Sequence, residues 1–188
     1  MADKKPEQIL SQYLDFFFQS IGENPQREGL KETSRRLIES NAFLYSGYAK
    51  NPNDILDSLF SEGACDEMVI VKHIEFYSMC EHHFLPFFGE ISIGYIPDKK
   101  VVGLSNISEL VEVFARRLQI QENLTTQIAD TIMQVLKPKG TMVVCEALHL
   151  CMAMRGVEKQ KARVITSAVR GLFKKDSRTR MEFMQLIK

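Results

Sequence analysis

Residues 68–96 read MVIVKHIEFYSMCEHHFLPFFGEISIGYI, and this stretch decides the fold. Its two ends, 68–77 and 87–96, are rich in β-branched and aromatic residues and predict a pair of antiparallel strands. The turn between them carries Cys80-Glu81-His82-His83. A thiolate and an imidazole at Cys-x-x-His spacing can converge on one ion, and Zn²⁺ accepts both in a tetrahedral shell. Two ligands do not hold an ion, so the rest of the site must come from another part of the chain.

Upstream the pattern is helical. Ile9, Leu10, Tyr13, Leu14 and Phe16 to Phe18 line one face of a helix over 8–21 with Gly22 as its C-cap, an apolar stripe read as core or subunit interface. Thr33 or Ser34 can cap a second helix to about Tyr45, and Asn51-Pro52 opens a short third. Periodicity changes across Gly63-Ala64-Cys65-Asp66, which predicts an N-terminal helical region at 1–66 and a sheet-containing domain at 67–188. Downstream, helices are expected over 105–117 and 123–136, strands over 141–154 and 162–169, and a last helix capped by Asp176 or Ser177. Strands, helices and strands again make an α+β domain.

The chain has 188 residues, with 24 Lys plus Arg against 24 Asp plus Glu. That balance gives no general reason to expect nucleic acid or an anionic membrane as partner. No apolar run approaches the roughly 20 residues of a membrane helix, and the N-terminus has no signal core. Four cysteines in a chain of this length are too sparse for a secreted disulfide framework, so a cytoplasmic protein is expected.

Alternation along 141–154 puts Cys145, Ala147, His149, Cys151 and Arg155 on one face. Cys145 and Cys151 would then stand about 20 Å apart on an extended strand, so only one can join Cys80 and His83. Cys80, His83 and Cys151 form the economical ligand set, a Cys₂His site with a fourth position open to water. His82 and His149 remain as imidazoles suited to proton transfer near neutral pH. Cys65 and Cys145 read as small buried hydrophobes, and His73 as an ordinary histidine without a partner to tune it.

With these residues in place the sequence resembles the GTP cyclohydrolase I family over nearly its whole length. The resemblance is carried by residues 22–30 (GENPQREGL), 80–89 (CEHHFLPFFG), 103–105 (GLS), 117–122 (RLQIQE), 149–157 (HLCMAMRGV) and Thr166-Ser167. It implies a tunnelling fold, an antiparallel sheet with helices on one face, assembled as a toroidal homodecamer with active sites at subunit junctions. It also implies an enzyme that opens the guanine imidazole ring of GTP, releases formate and recloses the product as 7,8-dihydroneopterin triphosphate. Zinc held by Cys80, His83 and Cys151 would activate water for attack at C8, His149 would protonate the ring nitrogen, and His82 would move protons during ring opening. Gln121 and Glu122 would read the guanine, while Ser105 and Arg155 match phosphate-contacting positions.

One end departs from the family pattern. Asn106 and Glu109 stand where the family usually has lysine and arginine, and a carboxylate facing a triphosphate would repel it. Arg163 or neighbouring cations could compensate. Two alternatives follow: a paralogue acting on another guanine nucleotide, and a non-catalytic zinc scaffold in which Cys145 or His149 closes the ligand shell.

Overall fold

The computed structural model describes residues 5–61 and 66–188, and the chain divides into two units between Tyr45 and Ser46. The first unit holds α1 (Pro6–Ser20) and α2 (Thr33–Leu44). Proline suits the first helical position of α1, where an N–H would have no partner inside the helix. Gly22, at φ 85°, ends the helix, and the N–H groups of Gly22 and Glu23 donate back to the Gln19 and Phe18 carbonyls. Tyr13, Phe16 and Phe17 of α1 remain 60%, 70% and 41% exposed in the single chain.

The second unit runs through a 3₁₀ turn (Ser46–Ala49), α3 (Pro52–Ile55), β1 (Leu59–Phe60), β2 (Val69–Cys80), β3 (Leu85–Ile96), β4 (Val101–Val102), α4 (Leu104–Ala115) and β5 (Leu118–Gln119). It continues with α5 (Gln121–Leu136), β6 (Gly140–His149), α6 (Leu150–Ala153), β7 (Val164–Gly171), α7 (Leu172–Lys175) and α8 (Ser177–Leu186). Because α3 packs on α4, this unit begins before the change of periodicity at Asp66. Cys65, expected as a buried hydrophobe, lies outside the described residues.

Five strands form the main sheet in the order β5-β2-β3-β6-β7. β2, β3, β6 and β7 are antiparallel neighbours, as the 68–96 hairpin predicts, but β5 lies parallel to β2, so the sheet is mixed and not purely antiparallel. The cause is the return of the chain through α4 to the outer edge of β2. A two-residue strand is too short to announce itself by alternation.

Ile107, Leu110 and Val111 of α4 and Leu124, Ile128 and Ile132 of α5 pack on Phe76, Ile91, Ile93, Val143 and Cys145. Each large apolar side chain buried there contributes roughly 1.5–3 kcal/mol. The opposite face is also apolar at one end, where Met142 and Val144 meet Phe173 of α7 and Phe183 of α8. Helices therefore lie on both faces, which corrects the expectation of one. The Phe183 ring lies directly over Gly94, where a Cβ would come within 2.6 Å of it. Farther along that face Glu75 stands opposite Glu90, Glu90 stands opposite Glu146, and Tyr77 and Ile165 are 55% and 63% exposed.

A β-bulge interrupts β2. Val71 pairs with Ile93 and Ile74 with Ile91, so Lys72 and His73 together oppose Ser92 alone. His73 takes up the extra length at φ 58°, a left-handed conformation that histidine adopts more readily than most residues. It has a partner after all: its Nδ1 lies 2.6 Å from Glu90 Oε2.

Candidate metal centre and active site

The site forms where several strand ends meet at one edge of the sheet. Cys80 closes β2 and pairs with Leu85 at the start of β3, leaving Glu81 to Phe84 as a four-residue loop. Both His83 and Phe84 donate their N–H to the Cys80 carbonyl, at 3.3 and 2.9 Å, which winds the loop into a turn with Phe84 at φ 52°. Residues three apart on such a turn share a side. Cys80 Sγ and His83 Nδ1 accordingly lie 3.6 Å apart.

Cys151 arrives from another direction. The strand expected over 141–154 stops at His149, and α6 follows as one helical turn. Strand alternation therefore does not govern Cys151, and the turn carries its thiol sideways to the β2 end. The ligand atoms of Cys80, His83 and Cys151 all lie within 4.8 Å of one another, whereas Cys145 is buried in the core.

This donor set fits zinc. Thiolate and imidazole ligands at about 2.3 and 2.05 Å from a tetrahedral ion stand about 3.6 Å apart, the separation found for Cys80 and His83. Burial, and then the neighbouring Cys80 thiol, push the Cys151 thiol up from its ordinary pKa. A divalent cation reverses that tendency by favouring the thiolate. Burial drives the Cys145 thiol up to about 12, so at neutral pH it remains a protonated core side chain.

His149 pairs with Phe87 across β6 and β3, and the two rings stack at 4.6 Å with 6° between their planes. Its Nε2 lies 2.7 Å from Gln121 Oε1. Burial lowers the His149 pKa from its ordinary value, opposed in part by the Glu122 carboxylate. His82, next to His83, has its side chain 62% exposed.

β5 explains how α5 reaches the site. Gln119 pairs with Cys80, and the Glu81 N–H donates to the Gln119 carbonyl at 3.1 Å, so α5 begins beside the metal group. It begins at Gln121, two residues before the expected start at Asn123, and this puts Gln121 and Glu122 in its first turn. Glu122 is exposed there. Gln121, expected beside it on guanine, is 1% exposed and turned inward to His149 and the sheet.

Of the other expected contacts, Ser105 is exposed in the first turn of α4 and Arg155 is exposed just after α6. Arg155 acts electrostatically on Cys151, favouring its thiolate. Asn106 and Glu109 have structural partners: the Asn106 amide donates to the Ile55 carbonyl, tying α4 to α3, and Glu109 pairs with Lys50 at 2.9 Å. Sequence patterns gave no sign of the Phe87 stack, since any strand of this composition offers several aromatics.

The profile of the GTP cyclohydrolase I family matches residues 10–188. GTP cyclohydrolase 1 of Wolinella succinogenes is 62% identical over 186 residues, covering 98% of this chain and 97% of its own. Those of Helicobacter pylori J99 and Helicobacter acinonychis are 56% and 55% identical over 179 residues, covering 95% of this chain and 99% of theirs. Among solved structures, the apo form of the archaeosine synthase QueF-Like covers 55% of this chain and 93% of its own, with a TM-score of 0.44 and 19% identity, too slight a likeness to carry an argument. The family match and the extent of these identities lead to one conclusion: the chain belongs to the GTP cyclohydrolase I family.

Proposed function

We propose that this site performs the zinc-dependent GTP cyclohydrolase I reaction. The guanine imidazole ring of GTP is opened by water, formate leaves, and the rearranged product recloses to 7,8-dihydroneopterin triphosphate, the entry to tetrahydrofolate and other pterins. The observation that carries the reading is the convergence of Cys80, His83 and Cys151 beside His149, in a chain that matches the family over residues 10–188. Cys80, His83 and Cys151 would hold the metal. Zinc, when bound, supplies a Lewis acid that makes water a nucleophile near neutral pH.

The chain's own groups then divide the work. His149, held between Phe87 and Gln121, gives a proton to the ring nitrogen beside C8. His82, exposed on the ligand turn, exchanges protons with solvent as the ring opens. Glu122 accepts hydrogen bonds from the guanine N–H groups, and adenine would leave that carboxylate unsatisfied. Ser105 and Arg155 meet the triphosphate. The Lys50 pair neutralises Glu109, which weakens the case for a different nucleotide substrate. The scaffold alternative also loses support, because His149 is engaged by Gln121 and Cys145 by Thr125 and Thr166.

The reading includes a tunnelling fold and a cytoplasmic homodecamer with sites at subunit junctions. The exposed apolar face of α1, and a ligand cluster whose His83 is exposed in the single chain, support assembly. Among the described residues no helix is long and apolar enough to cross a membrane. The test is to incubate zinc-loaded protein with GTP and measure formate and the fluorescence of the oxidised pterin. Turnover is expected with GTP and weaker turnover with GDP and GMP; no turnover above background would overturn the reading.

A further inference from the structure

The hydrogen bonds around Gln121 leave no freedom in how its amide is oriented. Its Nε2 lies 3.1 Å from the Cys145 carbonyl, 3.0 Å from the Val164 carbonyl and 3.1 Å from Thr166 Oγ1. The two carbonyls belong to β6 and β7 and can only accept. Turning the amide over would set Oε1 against both carbonyl oxygens, acceptor facing acceptor with no proton between them. The amide nitrogen therefore faces the sheet and the amide oxygen faces His149.

The hydroxyls beside it obey the same accounting. Thr125 Oγ1 donates its single proton to the Gln121 carbonyl at 2.8 Å. In the 2.6 Å contact between Thr125 and Thr166 the proton must then come from Thr166. Thr166 is left to accept from Gln121, and every direction in the network is set. An amide oxygen accepts and never donates, so the 2.7 Å contact from Gln121 Oε1 requires a proton on His149 Nε2. Stacking on Phe87, with 6° between the ring planes, restrains the tilt of the imidazole.

We infer that Gln121 is a positioning residue that locks His149 as the Nε2–H tautomer and leaves Nδ1 as the nitrogen that exchanges a proton with the substrate. The second half rests on His149 being the proton-transfer group of the proposed function. A proton taken up from solvent at Nδ1 is the one delivered to the substrate ring nitrogen, and the imidazole returns to its neutral Nε2–H form. Throughout, Gln121 keeps its bond. It touches no substrate and acts through His149, as the outer partners of ligating histidines fix their tautomers.

The test is magic-angle-spinning NMR of zinc-loaded protein labelled with ¹⁵N-histidine, at about pH 8, above the ordinary histidine range. The chain has four histidines, and the His149 signals are identified by their loss in His149→Asn. A protonated Nε2 and a bare Nδ1 are expected; a proton on Nδ1 overturns the inference with no variant required. In Gln121→Met the tautomers should mix, and kcat with GTP should fall about 10–100-fold while KM and zinc content stay close to wild type. A folded, zinc-replete Gln121→Met with wild-type kcat also overturns it. If the wild type does not turn over GTP, the proposed function fails, while the imidazole spectrum still decides the tautomer.

Discussion

Cys80 and Cys151 are alike as residue types, yet their thiols reach the same point by unrelated local routes, one at a strand end and one on a helical turn. Replacing either by serine removes a thiolate donor. Cys151→Ser should lower bound zinc per chain, measured by elemental analysis, and cut kcat/KM by at least the roughly 10–100-fold that loss of an outer partner costs at a metal site. Cys145 should behave in the opposite way. Because burial raises its pKa to about 12, its thiolate is scarce at any working pH, and alkylation of the native protein at about pH 8 should spare it. Peptide mapping by mass spectrometry checks this, and labelling of Cys145 as fast as Cys151 in metal-free protein would contradict its place in the core. At this scale the grouping of Cys80, His83 and Cys151 was legible, since Cys and His at short spacing have few other uses together. Gln121 was not. Its partners are carbonyls of residues 24 and 43 positions away, and no spacing rule reports a backbone oxygen.

Among the elements, the long helices and the central hairpin were legible because their apolar periods are sustained. The short pieces were not: β5, α6 and α7 have two to four residues each, fewer than one period needs to declare itself. The C-terminal helix shows how a single cap supports an element. Asp176 accepts from the Arg178 N–H at 2.8 Å, and the Arg178 side chain holds its carboxyl below the ordinary value. A carboxyl lowered in the folded state favours folding above its ordinary range near 3.8, and that contribution is lost as pH falls through the lower folded value. At neutral pH it is fully present. Asp176→Ala should therefore lower the melting midpoint at pH 7 by roughly 2–4 °C, a difference that shrinks in acid. Asp176→Asn keeps the acceptor and should lose less; calorimetry of the three proteins decides.

Over the whole molecule the charges sum to zero, but they are not evenly spread. Glu75, Glu90 and Glu146 stand side by side across three strands, with the His73 imidazole against the middle one. Like charges directly opposite on neighbouring strands oppose the pairing. Glu146→Gln should raise the melting midpoint by about 1–3 °C at low ionic strength, and added salt should narrow the gap. Equal midpoints at all salt concentrations would mean that the row is already neutralised. The α+β class and the hairpin were legible at this scale as well. The mixed order of the sheet and its second covered face were not, because both depend on where a crossover returns.

The bulge at Lys72 and His73 gives the hairpin a property that belongs to arithmetic more than to chemistry. Before it, Val69 and Val71 face the helices; after it, Ile74, Phe76, Ser78 and Cys80 do, so inward positions switch from odd to even numbers. Cys80 thus depends on a count. Substituting His73 changes a side chain and keeps that count, and deleting one residue between Val71 and Ile74 would leave a single residue opposite Ser92 with Val71 and Cys80 both still inward, whereas deleting one between Ile74 and Cys80 sends Cys80 to the wrong side of the sheet. Between Ile74 and Cys80, insertions and deletions should be far less tolerated than substitutions, as in a reading frame.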